Sequence, residues 1–125
     1  MRHPMIAFLR EQLNADEIRA LAACWKGSGN TPNWHAPFSA TLDTGGDTIH
    51  VGDQAVTNHI ARWDPARVLA EVAAKKRILD GIVSPMDWTP QMKAVVRHLA
   101  AVYVDRDGYK PEWAPEPGIE WDDEP

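Results

Sequence analysis

Apolar residues recur at three- and four-residue spacing through the first quarter of the chain. Met5, Ile6, Leu9, Leu13, Ile18, Leu21, Ala22 and Trp25 fall mostly on one side of a helix predicted over residues 4–25, with Pro4 near its start. The polar stretch around Asn14, Asp16 and Glu17 interrupts the stripe, so a break or bend is expected there. Gly27, Ser28, Gly29, Asn30, Thr31 and Pro32 then end the helix in a loop.

From Trp34 the period changes. Trp34, Ala36, Phe38, Ala40 and Leu42 alternate with polar or small residues, as do Ile49 and Val51. Between them, Asp43, Thr44, Gly45, Gly46 and Asp47 supply two glycines able to take positive φ. This predicts an antiparallel β-hairpin, with a third short strand near residues 54–56. A lone hairpin is only marginally stable, so it must pack on the helices.

Helical period returns at residues 57–62, read as a short turn leading into a second long helix. Asp64 is its N-cap and Pro65 sits at N1, where the missing N–H costs nothing. Val68, Leu69, Val72 and Leu79 form the apolar stripe of about four turns, while Arg67, Glu71, Lys75 and Arg77 point away. Gly81 is placed at C′, with Ser84 and Pro85 confirming the stop. Thr89 and Pro90 repeat the cap-plus-proline start for a third helix, striped by Met92, Val95, Val96, Leu99, Val102 and Tyr103. Beyond Asp105 the chain is proline-rich, acidic and without period, and is expected to run extended over the surface or disordered. The expectation is an α+β fold, with three main helices packed on a small antiparallel β-hairpin. Residues 1–110 form a single domain and residues 111–125 an acidic, proline-rich tail.

Composition refines this picture. The net charge of −5 is uneven: residues 111–125 hold six acids and no base. A near-neutral body with an acidic tail argues against a general nucleic-acid binder. Six tryptophans outnumber the two phenylalanines and two tyrosines. They read as core and edge anchors, or, where exposed, as markers of a partner surface. The single cysteine, Cys24, excludes an internal disulfide and a cysteine-based zinc set, and reads as a small buried residue. No apolar run is long enough to span a bilayer, and Arg10 and Glu11 interrupt MIAFL too soon for a signal peptide. A cytoplasmic setting is expected.

Candidate chemistry is sparse. The five histidines (His3, His35, His50, His59 and His98) form no local pair at metal-ligand spacing, and His35 and His50 lie at different distances from the turn. Neither a metal nor a cofactor is expected. His59, Arg62 and Asp64 read first as a structural corner, with Arg62 bonding helix-end carbonyls or Asp64, and second as an acid–base group. No phosphate loop, dinucleotide fingerprint or nucleophile elbow is present. Lys75, Lys76 and Arg77, with Arg62 and Arg67, read as a solvated basic face or a docking site for an acidic tail. In that tail Ile119 and Trp121 are out of place for a mere solubiliser. The segment is expected either to dock as an extended peptide on its own domain, a second copy or a host protein, or to be disordered.

The segment HIARWDPARVL at residues 59–69 resembles the central motif of an uncharacterised family of small actinobacterial and actinophage proteins, known only as a domain of unknown function. The likeness extends to residues 6–17, Trp34, residues 76–79, and Tyr103, Tyr109 and Trp113. Many members of that family carry a Cys/His-rich insert resembling a zinc site between the last two helices, where this chain has only residues 82–88 and no cysteine. The resemblance implies a phage or actinobacterial setting and no activity.

The functional expectation is a non-enzymatic interaction protein acting through a protein partner, either a host protein or a second copy, without membrane or nucleic acid. Its candidate binding residues are His59, Arg62, Trp63, Asp64, Arg67 and Trp121. The alternative is a small enzyme or nucleic-acid-processing accessory using His59, Arg62 and Asp64.

Overall fold

The computed structural model describes residues 3–82 and 88–115. The fold is α+β. Helices α1 (Pro4–Ala23), α2 (Gln54–Arg62), α3 (Pro65–Asp80) and α4 (Pro90–Ala101) accompany strands β1 (Thr41–Asp43) and β2 (Thr48–His50). Single turns of 3₁₀ helix occupy Lys26–Ser28 and Pro111–Trp113. The chain divides into two compact units. One draws on Met1–Gln12 and Arg77–Pro125, the other on Leu13–Lys76.

In the first unit, α1 starts on His3, whose Nδ1 accepts the N–H of Met5 at 3.1 Å. Met5, Ile6, Phe8 and Leu9 are buried, as are Leu79 of α3 and Val96 and Ala100 of α4. Thr89 caps α4 by accepting the N–H of Met92 at 3.1 Å, with Pro90 following as the sequence predicts. The α4 stripe is narrower than expected: Val95 and Val102 face solvent, and Val96, Ala100 and Tyr103 make the buried edge.

The segment after Asp105, expected to be extended or disordered, instead folds back as far as Pro115. Phe8 meets Tyr103, Tyr109 and Trp113 at ring-centroid separations of 6.5, 5.9 and 5.4 Å. Tyr109 and Trp113 contact edge to face at 5.7 Å, and Trp113 is only 7% exposed. Gly108 turns the chain at φ 93°, where an added Cβ would come within 3.4 Å of the Phe8 ring. Three rings around one phenylalanine replace the missing periodicity as the source of order.

In the second unit α1 continues without the expected break. Glu17 is tied to Lys76 Nζ at 2.6 Å. The apolar stripe, however, splits. Leu13 and Ala20 are buried, whereas Ile18, Leu21 and Trp25 are exposed. At about 100° per residue, Ile18 lies some 160° from Ala20, and Trp25 follows the end of α1 in extended backbone. The three- and four-residue spacings had merged two faces into one.

The hairpin is shorter than the alternation implies. Its register pairs Thr41 with His50, Leu42 with Ile49 and Asp43 with Thr48, and His35 bridges to Asp43. His35 and His50 are therefore not cross-strand neighbours. Pro37, lacking an N–H, interrupts the ladder, and Ser39 (φ 73°) and Ala40 (φ 53°) both turn left-handed. Ala40 is held there: its N–H donates to Gln54 Oε1 at 2.8 Å and its carbonyl accepts the N–H of Val51 at 2.9 Å. Phe38 is left 93% exposed. At the tip, Thr44 donates to Asn30 Oδ1 at 2.6 Å. A Cβ on Gly46 would meet the carbonyl carbon of Gly29 at 2.6 Å, so only glycine lets loop and turn approach so closely.

The third strand expected near residues 54–56 is the first turn of α2. Asp53 Oδ1 accepts the N–H of Val56 at 2.9 Å, and an N-cap at that position starts a helix whatever the β propensity of the valine. Thr57 is fully buried, and α2 packs beside β1. At the far end of α3, Gly81 directly follows the helix as expected and donates to the Arg77 carbonyl at 3.1 Å, without left-handed φ. Ser84 and Pro85 lie outside the described residues.

Candidate functional site

Residues 59–69 form the corner between α2 and α3. Asp64 caps α3 as predicted, Oδ1 accepting the N–H of Arg67 at 2.9 Å. Its other oxygen, Oδ2, accepts the N–H of Trp34 at 3.0 Å. The N–H of Ala66 donates to the Pro32 carbonyl at 2.9 Å, and Trp34 Nε1 donates to the Thr31 carbonyl at 2.7 Å. The start of α3 is thus pinned to the loop at residues 31–34 by two bonds, Asp64 to Trp34 and Ala66 to Pro32, while the Trp34 indole is tied back within the loop.

On that fixed corner the side chains form a ladder. Trp63, the C-cap residue of α2, is 48% exposed. The Arg67 guanidinium lies 4.4 Å from the Trp63 ring centroid and its Nε donates to Glu71 Oε1 at 3.2 Å. The exposed His59 ring stands 6.4 Å from the indole, inclined at 42°. Val56, at three- and seven-residue spacing from His59 and Trp63, is also exposed and extends the same face of α2. Arg62 is exposed and makes no ion pair or hydrogen bond among the described residues.

This corrects the expected pairing of Arg62 with Asp64 or with helix-end carbonyls. Both carboxylate oxygens of Asp64 are taken by backbone amides instead, the arrangement of a structural staple. His59, Arg62, Trp63, Asp64 and Arg67 do share one corner, as the sequence suggests, with Asp64 as its foundation. Trp121 lies outside the described residues, as does the rest of the acidic segment beyond Pro115. Of the remaining tryptophans, Trp113 is buried, Trp34 and Trp88 are half-buried, and Trp25 is exposed. Cys24 is half-buried rather than buried, its Sγ donating to the Ala20 carbonyl at 3.3 Å. Among the described residues, no three of His, Cys, Asp and Glu gather where they could hold a metal ion.

A second feature lies in the other unit, where the sequence reading named no site. An open cleft of about 360 Å³ is lined by Pro90, Lys93, Ala94, Arg97, His98 and Pro115. Its sequence signal is local: Lys93, Arg97 and His98, at four- and five-residue spacing, put three basic side chains toward one flank of α4. The basic group on α3 is largely satisfied at Lys75 and Lys76. Lys76 pairs with Glu17, and Lys75 lies 4.0 Å from Glu71.

The model of a family of unknown function, DUF6221, matches residues 2–115. The chain belongs to this family. Neither a curated protein nor a solved structure matches it. The span that makes this chain a DUF6221 protein includes the α2–α3 corner, the aromatic cluster around Phe8 and the α4 cleft, and it ends where the acidic segment begins. No helix among the described residues is long and apolar enough to cross a membrane.

Proposed function

We propose that this DUF6221 protein is a non-enzymatic interaction protein that binds a protein partner through the α2–α3 corner. The observation that carries the reading is Trp63, about half-exposed yet with Arg67 over its ring and His59 beside it, on a backbone pinned by Asp64. Tryptophan and arginine dominate the energetic centres of interfaces, and a side chain already ordered before binding loses little entropy on association. Val56 and Trp63 supply apolar area, and Arg62 a charge without a partner among the described residues. The fitting surface on the partner is an apolar side chain flanked by a carboxylate. A phage or prophage origin in actinobacteria and a cytoplasmic location belong to the same proposal, and they rest on the resemblance of the motif at residues 59–69.

The test is capture from actinobacterial lysate with the unsubstituted protein, Trp63→Ala and Arg62→Glu. One stoichiometric protein retained by the first and lost with both variants is the expected result. Equal retention by all three would remove the corner from the reading. A co-purified nucleotide or metal in place of a protein would favour a small enzyme or nucleic-acid accessory.

A further inference from the structure

We propose that the acidic C-terminal segment, residues 116–125, docks within the same molecule on the basic cleft of α4. Among the described residues the cleft presents Lys93, Arg97 and His98 with no acidic residue in its lining. Neither Lys93 nor Arg97 forms an ion pair among the described residues, and Arg97 Nε is buried without an acceptor. A buried donor of this kind carries an unrecovered desolvation cost until an acceptor reaches it, and carboxylates make the strongest acceptors for guanidinium.

The complementary charge lies next along the chain. Of the chain's 18 acids, five (Glu116, Glu120, Asp122, Asp123 and Glu124) fall in its last ten residues, which contain no base. The other residues hold 13 acids against 13 bases, so the whole net charge of −5 resides in this segment. Pro115, the residue before it, is itself a wall of the cleft. The segment therefore starts at the site, and tethering of this kind gives effective concentrations in the millimolar range. Ten residues reach at most about 33 Å when extended, ample to return along α4, where Lys93 and Arg97 are one turn or about 6 Å apart. Pro90, Ala94 and Pro115 offer apolar wall to Ile119 and Trp121, and the cleft volume falls in the range that accepts small organic groups. A second copy or a host peptide would need to match this charge without the tether.

Nitrogen-15 NMR of the full chain tests the docking. At roughly 20 mM salt, residues 119–124 and the Trp121 indole should show restrained amide dynamics and shifts distinct from those of a free peptide of residues 116–125. Lys93→Glu with Arg97→Glu should move these signals to the free-peptide values. Adding Asp122→Lys, Asp123→Lys and Glu124→Lys to that background should move them back. Should the cleft variant disturb the fold, the tail triple substitution alone must still release the segment while leaving the remaining amide pattern in place. Tail signals of the unsubstituted chain that coincide with the free peptide at low salt would overturn the proposal. Shifts that depend on protein concentration would overturn it too, assigning the cleft to a neighbouring molecule.

Discussion

Asp64 holds the backbone N–H of Trp34, thirty residues earlier in the chain, with the oxygen left over from capping α3. One carboxylate thus performs two structural tasks, and they can be separated. Asp64→Ala should lose about 1 kcal/mol for the cap, with a further 1–3 kcal/mol from the abandoned Trp34 amide. Asp64→Ser restores the cap but is too short to serve both amides, so it should recover only the first part. Denaturant unfolding of both variants beside the unsubstituted protein separates the two parts, and an Asp64→Ser protein as stable as the unsubstituted one would show that the Trp34 contact contributes nothing.

Trp63→Ala should separate binding from folding. The indole is half-exposed and its loss opens no core cavity, so stability should change by less than about 1 kcal/mol. Partner affinity, measured by calorimetry once a partner is captured, should fall by at least 2 kcal/mol, or about thirtyfold. Arg67→Ala should have a smaller effect in the same direction, because it frees the indole without removing it.

The weight of the core should follow burial rather than the apolar stripe. Phe8→Ala removes the ring that Tyr103, Tyr109 and Trp113 share and should cost about 3–5 kcal/mol. Leu79→Ala, at a fully buried site, should cost about 2–5 kcal/mol, and Leu69→Ala, only half-buried, clearly less. Chemical denaturation ranks the three. An equal loss at Leu69 and Leu79 would place Leu69 in the core after all.

His3 should make stability depend on pH. Its ring accepts the Met5 N–H through Nδ1, stacks 4.8 Å from Trp88, and must stay unprotonated at Nδ1 to do so. Burial first, and then the charges of Lys93 and Lys110, lower its pKa below the ordinary 6.5. The unfolded chain takes up this proton near pH 6.5, whereas the folded chain does so only at a lower pH. The contribution is therefore complete above 6.5 and is lost as the pH falls from there through the folded value. His3→Asn keeps a cap acceptor without a titrating ring, and should flatten that part of the melting-temperature profile between about pH 5 and pH 8. Parallel profiles for the two proteins would assign the slope to another group.

What could be read in the sequence was local chemistry. Asp64-Pro65 and Thr89-Pro90 each carry a side-chain acceptor and a fixed φ in adjacent residues, and both starts stand where they were placed. The α2–α3 corner was legible for the same reason, although the partner of Asp64 was not, since Trp34 is distant in sequence. Errors arose where two meanings share one pattern. The valine at 56 suits a strand or a helix, and only the Asp53 cap decides. Spacings of three and four residues in α1 describe two faces when followed for five turns. Trp113 is ordered by a phenylalanine at the other end of the chain and has no local signature, and the α4 cleft, although its basic spacing is local, needs Pro115 as a wall.

The loop at Phe38 has a consequence for how the chain could be divided. Two successive left-handed residues cost about 1–2 kcal/mol each, and they persist because Gln54 and Val51 fix Ala40 from outside. An exposed aromatic next to such a bend invites cleavage by a chymotrypsin-like protease. The cut would not release the pieces. On its N-terminal side Pro32 and Trp34 are bonded to the start of α3 and His35 to Asp43, while on its C-terminal side Ala40 remains bonded to Val51. Residues 1–38 and 39–125, expressed as separate polypeptides, are therefore a workable pair for fragment complementation, joined at a point where the intact backbone is itself under strain.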